Sequence, residues 1–125
     1  MRKGYKPKWI VFLLLISVLL LTTVGSITQM NAFEKNTTTI KLTQKEEKII
    51  VFYRDDCPDC QSIFPLLYYH NLVKNDLVFV NMNQPANRHY IQTYNLKSVP
   101  TIVKKDRHYS GTNKKKIHQM IGNIF

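Results

Sequence analysis

Residues 48–60 read KIIVFYRDDCPDC and contain both cysteines of this 125-residue chain. The continuous apolar run at 48–53 has the length and composition of a buried central strand. Pro58 follows Cys57 directly and predicts a helix start, because proline is tolerated in the first helical turn. The sequence therefore predicts that a strand delivers Cys57 to the N-terminus of a helix that continues to about residue 74.

This placement of the cysteine pair suits thiol chemistry. Free backbone N–H groups and the dipole at a helix N-terminus favour a thiolate at Cys57. Cys60 lies three residues further on, close to one helical turn, so both sulfurs can come within disulfide distance. The spacing predicts an exposed nucleophile, Cys57, and a more buried resolving thiol, Cys60, which are the two roles that disulfide exchange needs.

Two other roles for the pair are less favoured but remain open. A structural zinc site commonly uses four ligands, and the chain has no second cysteine pair, so no metal is expected. The four histidines are scattered along the sequence, and none lies within a few residues of the pair: His70, His89, His108 and His118. A structural disulfide is conceivable in an exported protein, but it would close a very small loop and stabilise the fold weakly.

The remaining segments extend the pattern on both sides of the cysteines. A second buried strand is predicted at 77–82, a short helix at 86–95, a β-hairpin at 98–105 and 107–111, and a last helix from about residue 112. The β-branched stretch at 37–42 predicts an edge strand. This order of elements predicts an α/β fold in which helices flank a small mixed sheet.

An apolar segment precedes the predicted domain. Trp9 to Ile27 is an uncharged run of 19 residues, close to the roughly 20 that span a bilayer as a helix. The sequence predicts a cytoplasmic N-terminus at 1–8, a transmembrane anchor at 9–27, a tether at 28–36 and a domain at 37–125. Four basic residues precede the run and place the domain outside the cytoplasm: Arg2, Lys3, Lys6 and Lys8. The alternative, a cleaved secretory signal, would also export the domain.

The charge balance is basic, with a formal net charge of +10 for the whole chain. Fourteen basic and eight acidic residues follow the first eight positions, so the exported part carries about +6. Such a charge could suit an anionic lipid face or cell-wall polymer, although solvated charge that aids solubility is the simpler interpretation. No nucleic-acid motif accompanies it, and nucleic acid is not an expected partner.

Three features together resemble the thioredoxin superfamily over roughly residues 37–125. They are the string IIVFYRDDCPDC, a following helix interrupted by Pro65, and the string YNLKSVPT at 94–101. Pro65 stands eight residues after Cys57, where thioredoxins carry the proline that bends the active-site helix. The resemblance implies a thioredoxin-like fold in which Pro100 is cis. It also makes Val99, Pro100 and Thr101 the substrate-binding residues, with the Val99 backbone pairing with the substrate chain.

The chain departs from thioredoxin at several positions. Thioredoxin has a tryptophan before its first cysteine and Gly-Pro between the two, whereas this chain has Asp56 before Cys57 and Pro58-Asp59 after it. A buried carboxylate of the preceding strand in thioredoxin falls at Val51 here. The N-terminal strand–helix unit is expected to be reduced or missing. The string FYRDDCPDCQ resembles small exported thioredoxin-like accessory proteins of bacteriocin clusters.

Asp56, Pro58 and Asp59 are predicted to tune the ionisation of Cys57. The helix that Pro58 begins favours the thiolate, the nearby carboxylates oppose it, and Arg54 offsets part of their charge. These effects nearly cancel, so the sequence leaves open whether the pair acts as an oxidant or as a reductant.

The expected function is that of a membrane-anchored extracytoplasmic thiol–disulfide oxidoreductase. It would exchange disulfides with exported proteins or peptides through Cys57 and Cys60, without an organic cofactor or a metal. A separate redox partner would reset the pair. The alternative is a non-catalytic thioredoxin-like binding module whose disulfide is only structural.

Overall fold

The computed structural model describes residues 7–124. Contacts divide the chain into two compact units, one that ends at Phe33 and one that begins at Glu34. The first unit contains most of helix α1 (Lys8–Glu34), which is 27 residues long and apolar enough to cross a membrane by length and composition. The helix continues through most of the predicted tether. The basic residues Arg2, Lys3 and Lys6, on which the predicted orientation depends, lie outside the described residues.

The second unit is built on a four-stranded mixed sheet. Its elements are β1 (Ile49–Tyr53), α2 (Pro58–Lys74), β2 (Leu77–Asn81), a 3₁₀ turn (Pro85–Asn87), α3 (Tyr90–Thr93), β3 (Thr101–Lys104), β4 (Arg107–Ser110) and α4 (Lys114–Ile121). The strand order is β2-β1-β3-β4, with β2 parallel to β1 and the other two pairings antiparallel. This arrangement confirms the predicted α/β fold with helices flanking a small mixed sheet.

Strand β1 is the centre of the core, and all five of its residues are buried. On one face, Phe52 packs with Val80, Met82 and Tyr90. Aromatic contacts of Tyr53, Phe64 and Phe79 join β1 to helix α2 and strand β2, with ring centroids 5.1–6.1 Å apart. Because β1 is held by strands on both sides and buried throughout, the loop that leaves its C-terminal end has a fixed starting point.

The prediction of an edge strand at 37–42 is wrong. The backbone of this segment pairs with side chains instead of with a neighbouring strand. Ile40 N–H donates to Asn87 Oδ1 at 2.9 Å, and Leu42 N–H donates to the Tyr90 hydroxyl at 2.8 Å. The same hydroxyl donates to the Ile40 carbonyl at 2.9 Å. The segment is thus held in place by two residues that lie nearly fifty positions away.

The other predicted elements differ from the structure only in detail. The predicted helix at 86–95 is divided into the 3₁₀ turn and the single turn α3. The last helix begins at Lys114 rather than near residue 112, because the Asn113 side chain caps it by accepting from Lys116 N–H at 3.2 Å. Helix α2 has the predicted bounds and contains Pro65 in its interior.

Candidate active site

Cys57 is the N-cap residue of α2 and has an extended backbone conformation. Its sulfur accepts the Cys60 N–H at 3.3 Å and so takes the place that a Ser or Asp oxygen fills in an ordinary N-cap. The side chain is partly exposed. A sulfur that already accepts from the helix N-terminus lies where negative charge is favoured, as the sequence predicted from Pro58.

Cys60 lies behind Cys57 and is only 1% exposed. Burial raises the pKa of the Cys60 thiol to about 12, the hydrogen bond with Cys57 adds to this shift, and the Arg54 backbone acts against it. The charges of Cys57 and Asp59 raise the pKa further. Both cysteines are free thiols in the structure. The two sulfurs therefore differ in access to solvent, and the buried one is a thiol whose ionisation burial opposes.

The loop before β3 faces the cysteines. The Val99–Pro100 peptide bond is cis, as the resemblance implied. The Cys57 thiol donates to the Val99 carbonyl at 3.9 Å, so this loop reaches the nucleophilic sulfur. The Thr101 hydroxyl is engaged elsewhere, because it donates to the Ser98 carbonyl at 2.6 Å and lies 2.6 Å from the Ser110 hydroxyl. Of the three predicted substrate-binding residues, Val99 is the one whose hydrogen bond to the Cys57 sulfur the described residues show.

Asp56 belongs to an exposed polar cluster that includes Arg54 and Asn83. Arg54 donates to both of its carboxylate oxygens, with Nη2 at 2.7 Å and Nε at 3.0 Å. Asn83 Nδ2 donates to Asp56 Oδ1 at 3.0 Å. The Arg54 hydrogen bond, followed by that of Asn83, lowers the pKa of the Asp56 carboxyl. Asp56 is therefore an anion whose charge is largely compensated by Arg54.

Asp55 is held by two asparagines that follow or end strand β2. Burial pushes the pKa of Asp55 upward, but hydrogen bonds from Asn83 and Asn81 more than offset it, so the pKa is lowered. Asn81 is buried and donates to Asp55 Oδ1 at 3.1 Å. The sequence analysis missed both asparagines. The available signal was their position, because the carboxyl ends of parallel strands β1 and β2 meet at the same sheet edge as the cysteine loop.

Pro58 and Asp59 occupy the exposed first turn of α2. Pro58 stands at the start of the helix, where its missing N–H is not needed. The Asp59 charge acts on the buried thiol, since it contributes to the raised pKa of Cys60. The influence of Asp56, Pro58 and Asp59 on Cys57 stays a prediction.

A cavity of about 480 Å³ lies beside the loop that contains the cis-proline. Val99 belongs both to this cavity and to the cysteine site. The cavity combines apolar walls with three cationic side chains, those of Arg54, Arg88 and Lys97. The sequence analysis did not identify Arg88 or Lys97. Its lining residues are Arg54, Met82, Arg88, Ile91, Leu96, Lys97, Ser98 and Val99. Within residues 7–124, no group of three or more histidine, cysteine or acidic side chains is placed to hold a metal ion.

Comparison with known proteins agrees with this geometry. The Thioredoxin family model matches residues 26–123. Among solved structures, the glutaredoxin (grx-1) from Archaeoglobus fulgidus is 21% identical with a TM-score of 0.53, and the match covers 64% of this chain and 91% of that one. A mutant of a thioredoxin-like protein is 25% identical with a TM-score of 0.49, covering 60% of this chain and 95% of that one. None of the curated proteins compared with this chain matches it.

Proposed function

Because the chain belongs to the thioredoxin family, we propose that it is a membrane-anchored extracytoplasmic thiol–disulfide oxidoreductase that acts through Cys57 and Cys60. The observation that carries this proposal is the asymmetry of the pair. Cys57 is partly exposed, caps α2 and faces the cis-proline loop, whereas Cys60 is buried behind it. Disulfide exchange needs one thiol that meets the substrate and a second that meets only the first.

In the reducing direction, the Cys57 thiolate attacks one sulfur of a substrate disulfide. The substrate S–S bond breaks, a mixed disulfide with Cys57 forms, and the departing substrate sulfur takes up a proton. The Val99 carbonyl lies 3.9 Å from the Cys57 sulfur, so a substrate chain joined to Cys57 runs beside the Val99 backbone. Pairing of that backbone with the substrate would align the disulfide with the nucleophile.

Resolution of the mixed disulfide is the task of Cys60. Its thiol loses a proton and attacks the Cys57 sulfur, which releases the second substrate thiol and leaves a Cys57–Cys60 disulfide. Two electrons have then passed from the protein to the substrate, and a dithiol or disulfide partner must reset the pair. Val51, at the position of the thioredoxin carboxylate, is apolar and fully buried. The Cys60 proton must therefore leave through water or through another group.

The proposed location depends on helix α1, which has the length and composition of a membrane span. Together with the basic residues before it, this helix would hold the domain on the outer side of the membrane, where exported proteins or peptides are the substrates. Cleavage of the segment as a secretory signal would release the same domain. An accessory role in a bacteriocin cluster is a narrower form of this proposal, suggested by the FYRDDCPDCQ string alone.

The test is a trapping experiment with single-cysteine variants of the full-length protein. Cys60→Ser should still attack substrates but should fail to release them, so mixed disulfides with exported proteins should accumulate on non-reducing gels. Cys57→Ser is the matched control and should trap none. Complexes formed only by Cys57→Ser would reverse the assigned roles. If neither variant forms them and the native disulfide has a potential below about −300 mV, the pair is structural and the proposal fails.

A further inference from the structure

The cavity beside Val99 contains cationic groups that are not compensated within the described part of the chain. Arg54 is paired with Asp56, but among residues 7–124 neither Arg88 nor Lys97 has an acidic partner at ion-pair distance. None of the eight lining residues is acidic. The cavity therefore carries about two positive charges that are free to meet an anionic ligand.

Arg88 is held in place for such a role. Its Nε donates to the Met82 carbonyl at 3.2 Å, which fixes the guanidinium at the cavity wall. A guanidinium has five N–H donors, so this single bond leaves most of them available to a carboxylate. A restrained arginine loses less conformational entropy on binding than a freely moving one.

The rest of the cavity is suited to an apolar side chain. Met82, Ile91, Leu96 and Val99 supply its apolar walls, and Ile91 is 44% exposed although it is a large aliphatic residue. The walls and the two cations together match a polypeptide segment that carries an acidic and an apolar residue side by side.

A substrate joined to Cys57 can also contact the cavity, because one residue belongs to both places. Val99 lines it and also contacts the Cys57 sulfur at 3.9 Å. Each residue of an extended chain advances by about 3.3 Å, so a side chain one or two positions from the reacting cysteine reaches the cavity.

On the basis of the proposed function, we infer that this cavity selects polypeptide substrates in which an acidic residue lies within two positions of the reacting cysteine. The carboxylate contacts Arg88 and Lys97, and a neighbouring apolar side chain packs on Ile91 and Leu96. Substrate preference is thus determined by a surface separate from the two cysteines.

The experiment measures exchange between the full-length protein in detergent micelles and short peptides. Each peptide carries one cysteine as a mixed disulfide with thionitrobenzoate, flanked by glutamate, glutamine or lysine. Attack by Cys57 on the peptide sulfur breaks this bond and releases the chromophoric thiolate, whose absorbance gives the second-order rate constant. An exposed ion pair typically contributes a factor of about two to five, so two such pairs should favour the glutamate peptide over the glutamine peptide by roughly 5–20-fold.

Variants that remove a positive charge test whether this preference for the glutamate peptide arises in the cavity. Arg88→Gln and Lys97→Gln should each reduce the glutamate-to-glutamine rate ratio by about two- to fivefold, and the double variant should bring it close to one. Lys115→Gln removes the same charge from an exposed position on α4 and should leave the ratio unchanged. Raising the salt concentration should lower the ratio in the native protein. Lys97 is exposed and its side chain makes no hydrogen bond or ion pair within residues 7–124, so its variant tests binding rather than folding.

Three results would overturn the inference, and they can be told apart. Equal rates for all peptides would show that exchange occurs without this selection. A preference that survives the double variant would place the selecting surface elsewhere. If glutathione disulfide reacts faster than the glutamate peptide and loses its advantage in the double variant, the cavity serves a small thiol rather than a polypeptide. Failure of every substrate to react would instead overturn the proposed function itself.

Discussion

The attack of Cys60 on the Cys57 mixed disulfide should depend steeply on pH. The attacking species is the thiolate, and burial raises the pKa of the Cys60 thiol to about 12. At pH 7, about one molecule in 10⁵ then has an ionised Cys60. Formation of the mixed disulfide removes the contributions of Cys57 to this shift, but burial, the largest cause, remains. The resolution rate should therefore increase about tenfold per pH unit, or about 100-fold between pH 6.5 and pH 8.5.

Asp59→Asn supplies a second perturbation of the same step. The Asp59 carboxylate contributes to the raised pKa of Cys60, so its removal should increase the thiolate fraction. One charge acting through largely aqueous surroundings is worth ~0.5–1 kcal/mol, and the more acidic thiolate is a somewhat weaker nucleophile, so the net gain should be about twofold. Asp106→Asn, in the turn between β3 and β4, is the control and should change nothing.

The assay is a single-turnover measurement in which the protein is mixed with a peptide disulfide, quenched at set times in acid and analysed for the mixed disulfide. Cys60→Ser gives the rate constant of the first step alone at each pH, and this value is held fixed when the resolution step is fitted to the rise and decay of the mixed disulfide. A resolution rate that levels off near pH 9 would show that Cys60 ionises as an ordinary thiol. A proton acceptor close to Cys60 would then have to be sought, and the argument from burial would be wrong.

Three further predictions concern stability and topology. Asn87→Ala should destabilise the domain by about 2–3 kcal/mol in denaturant unfolding, because the buried Asn87 amide bonds the backbone of segment 37–42; the exposed Gln92→Ala should cost less than about 0.5 kcal/mol. The ionised Asp55 carboxyl, whose pKa is lowered in the fold, stabilises the domain above about pH 4, and this stabilisation is lost as the pH falls through the folded pKa. Asn83→Ala should therefore lower the free energy of unfolding at pH 6 and have little effect at pH 2. A membrane-impermeant maleimide should label reduced Cys57 in intact cells, and labelling only after lysis would contradict the exported topology.

The elements around the cysteines could be predicted because their signals are local. A continuous apolar run gave β1, and Pro58 gave the start of α2. The helix ends where Asn75 adopts a left-handed conformation and its N–H bonds to the Asn71 carbonyl at 2.8 Å, a termination that asparagine favours. Each signal lies within a few residues of the structure that it determines, so composition and spacing were sufficient.

The parts that could not be predicted depend on distant side chains. Segment 37–42 has the composition of a strand, but its partners are the Asn87 and Tyr90 side chains, whose directions follow from the 3₁₀ turn and α3. Arg88 and Lys97 line the same cavity although helix α3 lies between them in the chain. The spacing of these residues in the sequence does not predict that they meet, because their contacts depend on how the whole domain packs.

Which sulfur can be ionised does not by itself decide the direction of disulfide exchange. Burial raises the pKa of the Cys60 thiol to about 12, which favours its protonated form at neutral pH, and the proposed nucleophile is therefore Cys57. Asp56 presents a charge that Arg54 compensates at 2.7 Å. The remaining predicted influences on a Cys57 thiolate are the positive N-terminus of α2 and the opposing charge of the exposed Asp59, two effects of comparable size at about 0.5–1 kcal/mol. In the proposed oxidoreductase such a small difference would give the pair no strong preference, and the potential of the partner that resets it would decide whether the protein oxidises or reduces.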